Sequence, residues 1–178
     1  MAMTATRTRW FRTAEITLWV MVAGALLFRA LPPREIGRVA LDAPAPEFSL
    51  RTLDGERIGL GRLEGQVVLV NFWATWCPPC RQEMPGFQAV YDDYRARGFS
   101  VVGIAMDVGG PALVEAFVRD NGIVYPVAMA DGDVQLRYGG VEALPQSFLV
   151  DRQGRVRRIV SGVFSEGTLR QAVEELLA

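Results

Sequence analysis

The sequence predicts an α/β domain, a central mixed β-sheet flanked by helices, behind an N-terminal apolar segment. Three observations carry that prediction. Val67–Phe72 and Val101–Met106 are near-continuous apolar runs, as expected of parallel strands covered on both faces. Between them Phe87, Val90, Tyr91 and Tyr94 keep the i, i+3, i+4, i+7 spacing of a helix packed on a sheet. Downstream, two strand patterns joined by a short turn precede a terminal amphipathic helix, which completes a mixed α/β sandwich.

Taken in order, residues 1–12 are a polar tail carrying Arg7, Arg9 and Arg12. Residues 13–31 read as a transmembrane anchor or signal segment. Their uncharged core, Ile16 to Phe28, spans roughly 20 Å as a helix, short of the ~30 Å hydrocarbon layer. Trp10, Phe11, Ala30 and Leu31 extend it, with Arg12 and Arg29 snorkelling to the interfaces. Small residues are not well placed for cleavage beyond the apolar run, so an uncleaved anchor is expected. Arginines balance across the segment, but a basic start followed by an apolar run favours the C-terminal domain on the outer side. The expected location is therefore the cytoplasmic membrane, single-pass, with the folded domain facing the periplasm or its equivalent. Residues 32–43 are a proline-rich tether.

The folded domain is expected over 44–178. Phe48–Leu50 and Arg57–Leu60 flank Leu53-Asp-Gly-Glu56, a hairpin with an Asp-Gly turn. After the first strand–helix–strand unit, Leu113, Ala116 and Phe117 mark a second helix and Tyr125–Met129 a further strand. Ser147–Asp151 and Val156–Val160 are strands joined by Arg152-Gln-Gly154, and Leu169, Val173, Leu176 and Leu177 mark the last helix. Pro85 is expected to kink the first helix.

Composition narrows the chemistry. Half of the 178 residues are apolar and the net charge is −1, so neither disorder nor a nucleic-acid-binding patch is indicated. There is no histidine, which excludes Ser-His-Asp and Cys-His nucleophiles and His-ligated zinc, copper or haem within this chain. All 19 basic residues are arginine, which excludes lysine Schiff-base chemistry. No cofactor or metal is expected.

The two cysteines stand in Trp73-Ala-Thr-Trp-Cys-Pro-Pro-Cys80, directly after a buried strand and at the start of a helix. Positions i and i+3 of a first helical turn satisfy the 4.4–6.8 Å Cα separation that a disulfide needs. A purely structural staple is the competing reading, but closing so short a loop yields only about 2 kcal/mol. Reversible Cys77–Cys80 disulfide chemistry fits better. Free N–H groups and the helix dipole stabilise a thiolate at Cys77, the expected nucleophile, and Cys80 one turn in is the resolving thiol. Pro78 and Pro79 fit positions where an N–H has no intrahelical use. Trp76, beside the nucleophile, is a candidate substrate platform, and Trp73 belongs to the core.

The run Val67-Val-Leu-Val-Asn-Phe-Trp-Ala-Thr-Trp-Cys-Pro-Pro-Cys-Arg-Gln-Glu-Met-Pro85 resembles the thioredoxin superfamily. In detail it is similar to the membrane-anchored, extracytoplasmic TlpA/ResA-like branch, related to the CcmG/DsbE proteins. The resemblance implies a thioredoxin-like fold with an N-terminal β-hairpin and an αβ insert between Asp107 and Ala130. It implies that Pro145 is the cis-proline beside the dithiol, leaving the Leu144 backbone to pair with an extended substrate. Asn71 stands where thioredoxins carry a buried aspartate, and the branch uses Glu83 instead, placed to exchange a proton with the thiols. Tyr138–Pro145 is one residue longer than the usual spacing, with Ala143 where glycine is common.

The implied activity is protein disulfide reduction outside the cytoplasmic membrane, with apocytochrome c as candidate client and a membrane dithiol carrier as electron donor. The alternatives are a DsbA-like oxidant, a Cu(I)-binding metallochaperone using the same cysteines, and a thiol peroxidase. The missing histidine counts against the copper reading. A peroxidase lacks the expected lone cysteine with its Thr/Ser and Arg neighbours.

Overall fold

The computed structural model describes residues 39–178 together with positions 19 and 21. The anchor segment 13–31 and the tether up to residue 38 otherwise lie outside the described residues. Among the described residues, no helix is long and apolar enough to cross a membrane.

A short hairpin, β1 (Leu50–Arg51) and β2 (Arg57–Ile58), opens the domain. There follow β3 (Val67–Trp73), α1 (Pro78–Tyr94), β4 (Phe99–Ala105), α2 (Pro111–Asp120), β5 (Val127–Met129) and α3 (Gly132–Arg137). The last elements are β6 (Gln146–Val150), β7 (Val156–Ser161) and α4 (Glu166–Leu177). Single 3₁₀ turns occupy Leu60–Leu63 and Arg95–Arg97. The five-stranded sheet has the order β5-β4-β3-β6-β7. β3, β4 and β5 run parallel, and β6 and β7 are added antiparallel. The mixed sheet expected from the apolar runs is therefore present, with β3 at its centre.

The period-2 geometry of β3 sorts its side chains between two cores. Val67, Leu69 and Trp73 face the layer that contains Met84, Phe87 and Val90 of α1 and Leu169, Ala172 and Val173 of α4. Val68, Val70 and Phe72 face the opposite layer, under Phe48, Leu50 and Ile58 of the hairpin region and Val134 and Tyr138. Asn71 falls in the row of Leu69 and Trp73, on the side of α1, and this parity is what brings it to the functional site.

Several boundaries differ from the sequence expectation for local reasons. The hairpin pairs over only two residues per strand, closed by bonds from Thr52 N to the Glu56 carbonyl and from Gly55 N to the Thr52 carbonyl. β5 starts at Val127 rather than Tyr125, because Pro126 has no N–H to give a ladder. α3 was not anticipated: six residues are too few for a visible period, although Asp131 caps it, accepting from Asp133 N and Val134 N. Pro85 sits inside α1, which runs from Pro78 to Tyr94 without interruption, so the proline removes one bond, to the Arg81 carbonyl, and does not end the helix. The end of the tether is tied to the sheet edge, with Asp42 N donating to the Val156 carbonyl and Ala45 N to the Gly154 carbonyl.

Candidate active site

The site stands where β3 ends and α1 begins. Trp73, the last residue of β3, is fully buried against Phe117 of α2, with ring centroids 5.5 Å apart. Its carbonyl accepts from Met106 N, and the Ala74 carbonyl accepts from Cys77 N. The loop Ala74–Trp76 therefore carries the chain from sheet to helix. Cys77 is the N-cap of α1, in extended geometry, and Cys77 and Cys80 form a disulfide with Cα atoms 5.3 Å apart. Cys80 is wholly buried and Cys77 keeps 3% of its surface, so an incoming sulfur meets Cys77.

Pro78 and Pro79 occupy the first two helical positions, which removes two of the N–H groups that a helix start normally offers. The amide left to face the N-cap sulfur is that of Cys80, whose N lies 3.3 Å from Cys77 Sγ. The diproline therefore leaves a single backbone donor where three were available to an N-cap side chain.

Glu83 lies one turn beyond Cys80 and is 3% exposed. Asn71 Nδ2 donates to Glu83 Oε1 at 2.9 Å, and Phe164 N donates to Glu83 Oε2 at 2.9 Å. Asn71 Nδ2 also donates to Ser147 Oγ, whereas Asn71 Oδ1 has no partner. Burial pushes the Glu83 carboxyl from 4.5 up to about 7, and the two hydrogen bonds only partly offset it. Glu83 thus shares its proton evenly near neutral pH. Asn71 of β3 and Phe164 before α4 hold the carboxylate in this buried position.

The remaining residues singled out from the sequence also lie around this end of the sheet. Pro145 immediately precedes β6, whose Gln146 pairs with Phe72, so it sits beside the end of β3. The Leu144–Pro145 peptide is cis, Pro145 is buried, and its carbonyl accepts from Gly162 N. Leu144 is half-buried, packed at the margin of both cores. Trp76 is 66% exposed next to Cys77. Arg81, given no role from sequence, lies over the Phe117 ring at 5.6 Å.

Sequence reasoning did not single out Ser147, Phe164 or the pair Thr75–Asp107. Asp107, just past β4, accepts from Thr75 N at 3.0 Å and from the Thr75 hydroxyl. Nothing local in the sequence marks these contacts, since they join residues 32 to 81 positions apart.

The sequence profile of the AhpC/TSA family fits residues 41–159. The chain belongs to this family. Thiol-disulfide oxidoreductase ResA of Geobacillus thermodenitrificans is 36% identical over 139 residues, covering 78% of this chain and 79% of that protein. ResA of Bacillus thuringiensis subsp. konkukian is 30% identical over 166 residues, covering 93% of this chain and 95% of that protein. The crystal structure of a thiol:disulfide interchange protein of the thioredoxin family from Chlorobium tepidum superposes with a TM-score of 0.72. It is 36% identical and covers 79% of this chain and all of that one. The fold is accordingly thioredoxin-like, a central mixed sheet flanked by helices.

Proposed function

We propose that this member of the AhpC/TSA family is a thiol–disulfide oxidoreductase that reduces protein disulfides outside the cytoplasmic membrane. The observation that carries the proposal is the Cys77–Cys80 disulfide at the first turn of α1, open to solvent only on the Cys77 side. The names of the ResA relatives and of the interchange-protein structure support thiol–disulfide exchange as the underlying activity.

In the reduced protein the Cys77 thiolate attacks one sulfur of a client disulfide. An S–S bond forms between Cys77 and the client, and the client's other sulfur leaves as a thiolate. Cys80 then gives its proton to Glu83 and attacks Cys77 Sγ, which releases the client's second sulfur as a thiolate. Two electrons have moved to the client, and the protein is left with the Cys77–Cys80 disulfide. The two released thiolates take up protons, one of which Glu83 can return. A group that exchanges its proton near 7 suits this step, because a buried thiol needs an acceptor that is ionised when attack begins.

Trp76 offers an apolar platform beside the nucleophile. The Leu144 backbone, at the edge of the site before the cis-proline, pairs with an extended client segment. Oxidised apocytochrome c Cys-x-x-Cys-His segments are the candidate client, and a membrane dithiol carrier supplies the electrons. Outside the cytoplasm a reductant must be replenished in this way, because the surroundings are oxidising. The apolar 13–31 segment of the sequence supports a membrane tether.

Trapping tests the proposal. A Cys80→Ser variant incubated with an oxidised Cys-x-x-Cys-His peptide should accumulate a mixed disulfide through Cys77, whereas Cys77→Ser should not. A protein potential near ~−270 mV supports a reductant, and one near ~−120 mV would replace it with an oxidant.

A further inference from the structure

We infer that Asp107 is a positioning residue for the dithiol, acting through Thr75 to hold the loop that presents Cys77. The inference rests on the exchange activity proposed above. Three residues, Ala74, Thr75 and Trp76, separate the sheet from the nucleophile. The two carbonyls that precede Thr75 are engaged by backbone, that of Trp73 by Met106 N at 2.8 Å and that of Ala74 by Cys77 N at 3.1 Å. The Thr75 N–H is fixed instead by a side chain from another element, Asp107, at 3.0 Å to Oδ2 and 3.3 Å to Oδ1. The Thr75 hydroxyl donates to Asp107 Oδ1 as well.

The chemistry of the pair explains why a carboxylate is needed. Thr75 offers two donors from one residue, and a carboxylate is the side chain that presents two acceptor oxygens and no donor. An asparagine there has one oxygen, and its amide nitrogen would face a donor. Asp107 is 7% exposed, and among the described residues no cation lies within ion-pair reach of it. Its burial is compensated by Thr75 and not by a salt bridge. A carboxylate is an expensive way to hold an ordinary surface turn, and this turn leads directly to the nucleophile.

The consequence is geometric. Thiol–disulfide exchange proceeds with three sulfurs aligned, so displacement of Cys77 reduces the fraction of encounters that react. Trp76 and Val108, each one residue beyond a member of the clamp, are exposed apolar side chains. The clamp therefore also fixes the two elements, the β3–α1 loop and the start of the insert, that a client meets on its way to Cys77.

The experiment uses the purified full-length chain and a disulfide-bonded peptide. Asp107→Asn and Thr75→Val should each lower the second-order exchange rate about tenfold, the effect of one lost hydrogen bond to a charged group. The double variant should be no slower than either single one, and Thr75→Ser should keep the wild-type rate. Alkylation of reduced Cys77 by iodoacetamide, which needs no sulfur alignment, should change less than twofold between variants, roughly the spread of an unaffected thiolate. Hydrogen exchange of the Thr75 amide should accelerate in Asp107→Asn. Additive losses in the double variant, equal losses with peptide and iodoacetamide, or an unchanged Thr75 amide would each overturn the inference. A wild-type protein that exchanges with no peptide would overturn the proposed function instead, and the amide measurement still reads the clamp in that case.

Discussion

Replacing Glu83 by glutamine should stabilise the oxidised protein at pH 8 and do so much less at pH 5. In the native state the carboxyl titrates at about 7 against an ordinary 4.5. At 1.36 kcal/mol per pH unit this is about 3 kcal/mol. The folded-state value is raised, so between 4.5 and 7 the native protein keeps a proton that the unfolded chain has lost. By linkage, stability falls as pH rises through this window, and above about 7 the full cost of a buried carboxylate is present. Glutamine has no such titration. It also fits the hydrogen bonds: its oxygen accepts from Phe164 N, and its amide donates to Asn71 once the Asn71 side chain turns its unpartnered Oδ1 toward it. Ser147, now facing that same oxygen, becomes the donor. Urea unfolding at both pH values measures the effect. Glu83→Gln should gain up to about 3 kcal/mol relative to wild type at pH 8 and less than about 1 kcal/mol at pH 5. A difference between the two proteins that does not vary with pH would refute the raised pKa and with it the proton-transfer role.

Three further outcomes follow from the same geometry. The rate of mixed-disulfide resolution by Cys80 should rise with pH around 7 in the wild type, and this inflection should be lost in Glu83→Gln, as read by stopped-flow quenching. Pro79→Ala returns an N–H to the second position of α1, facing Cys77. The thiolate fraction at a given pH should rise about tenfold in the Cys80→Ser background, measured by alkylation against pH. The potential of the intact pair should move about 30 mV toward oxidant, and an unchanged titration would remove the single-donor account. Gly86→Ala places a Cβ 2.9 Å from Glu166 Cβ, where α1 meets α4, so thermal melting should show a loss of about 1–3 kcal/mol.

Much of this architecture was legible before any coordinates, and for identifiable reasons. Buried parallel strands are apolar on both faces, so β3 and β4 appear as unbroken runs, and α1 shows its packed stripe through Phe87, Val90 and Tyr94. The Cys77–Cys80 spacing was legible because i and i+3 on a helix is a local relation. α3 was not, since Gly132–Arg137 offers less than two full turns of pattern. Glu83 marks the boundary between the two situations. Its position one turn past Cys80 is local, but its isolation from water depends on Phe164, 81 residues away, and on Asn71 reaching across from β3.

The order of residues by itself determined which two sulfurs react, that they open a helix, and that prolines strip that opening of amide donors, because each is a matter of neighbours along one backbone. The packing of distant segments decided the rest. It sets how much of Cys77 a partner can reach, the proton affinity of the Glu83 carboxylate on the buried side of α1, and the grip of Asp107 on Thr75. Dielectric surroundings and hydrogen-bond partners are properties of space, and residues 12 to 81 positions apart share that space only after the sheet has formed.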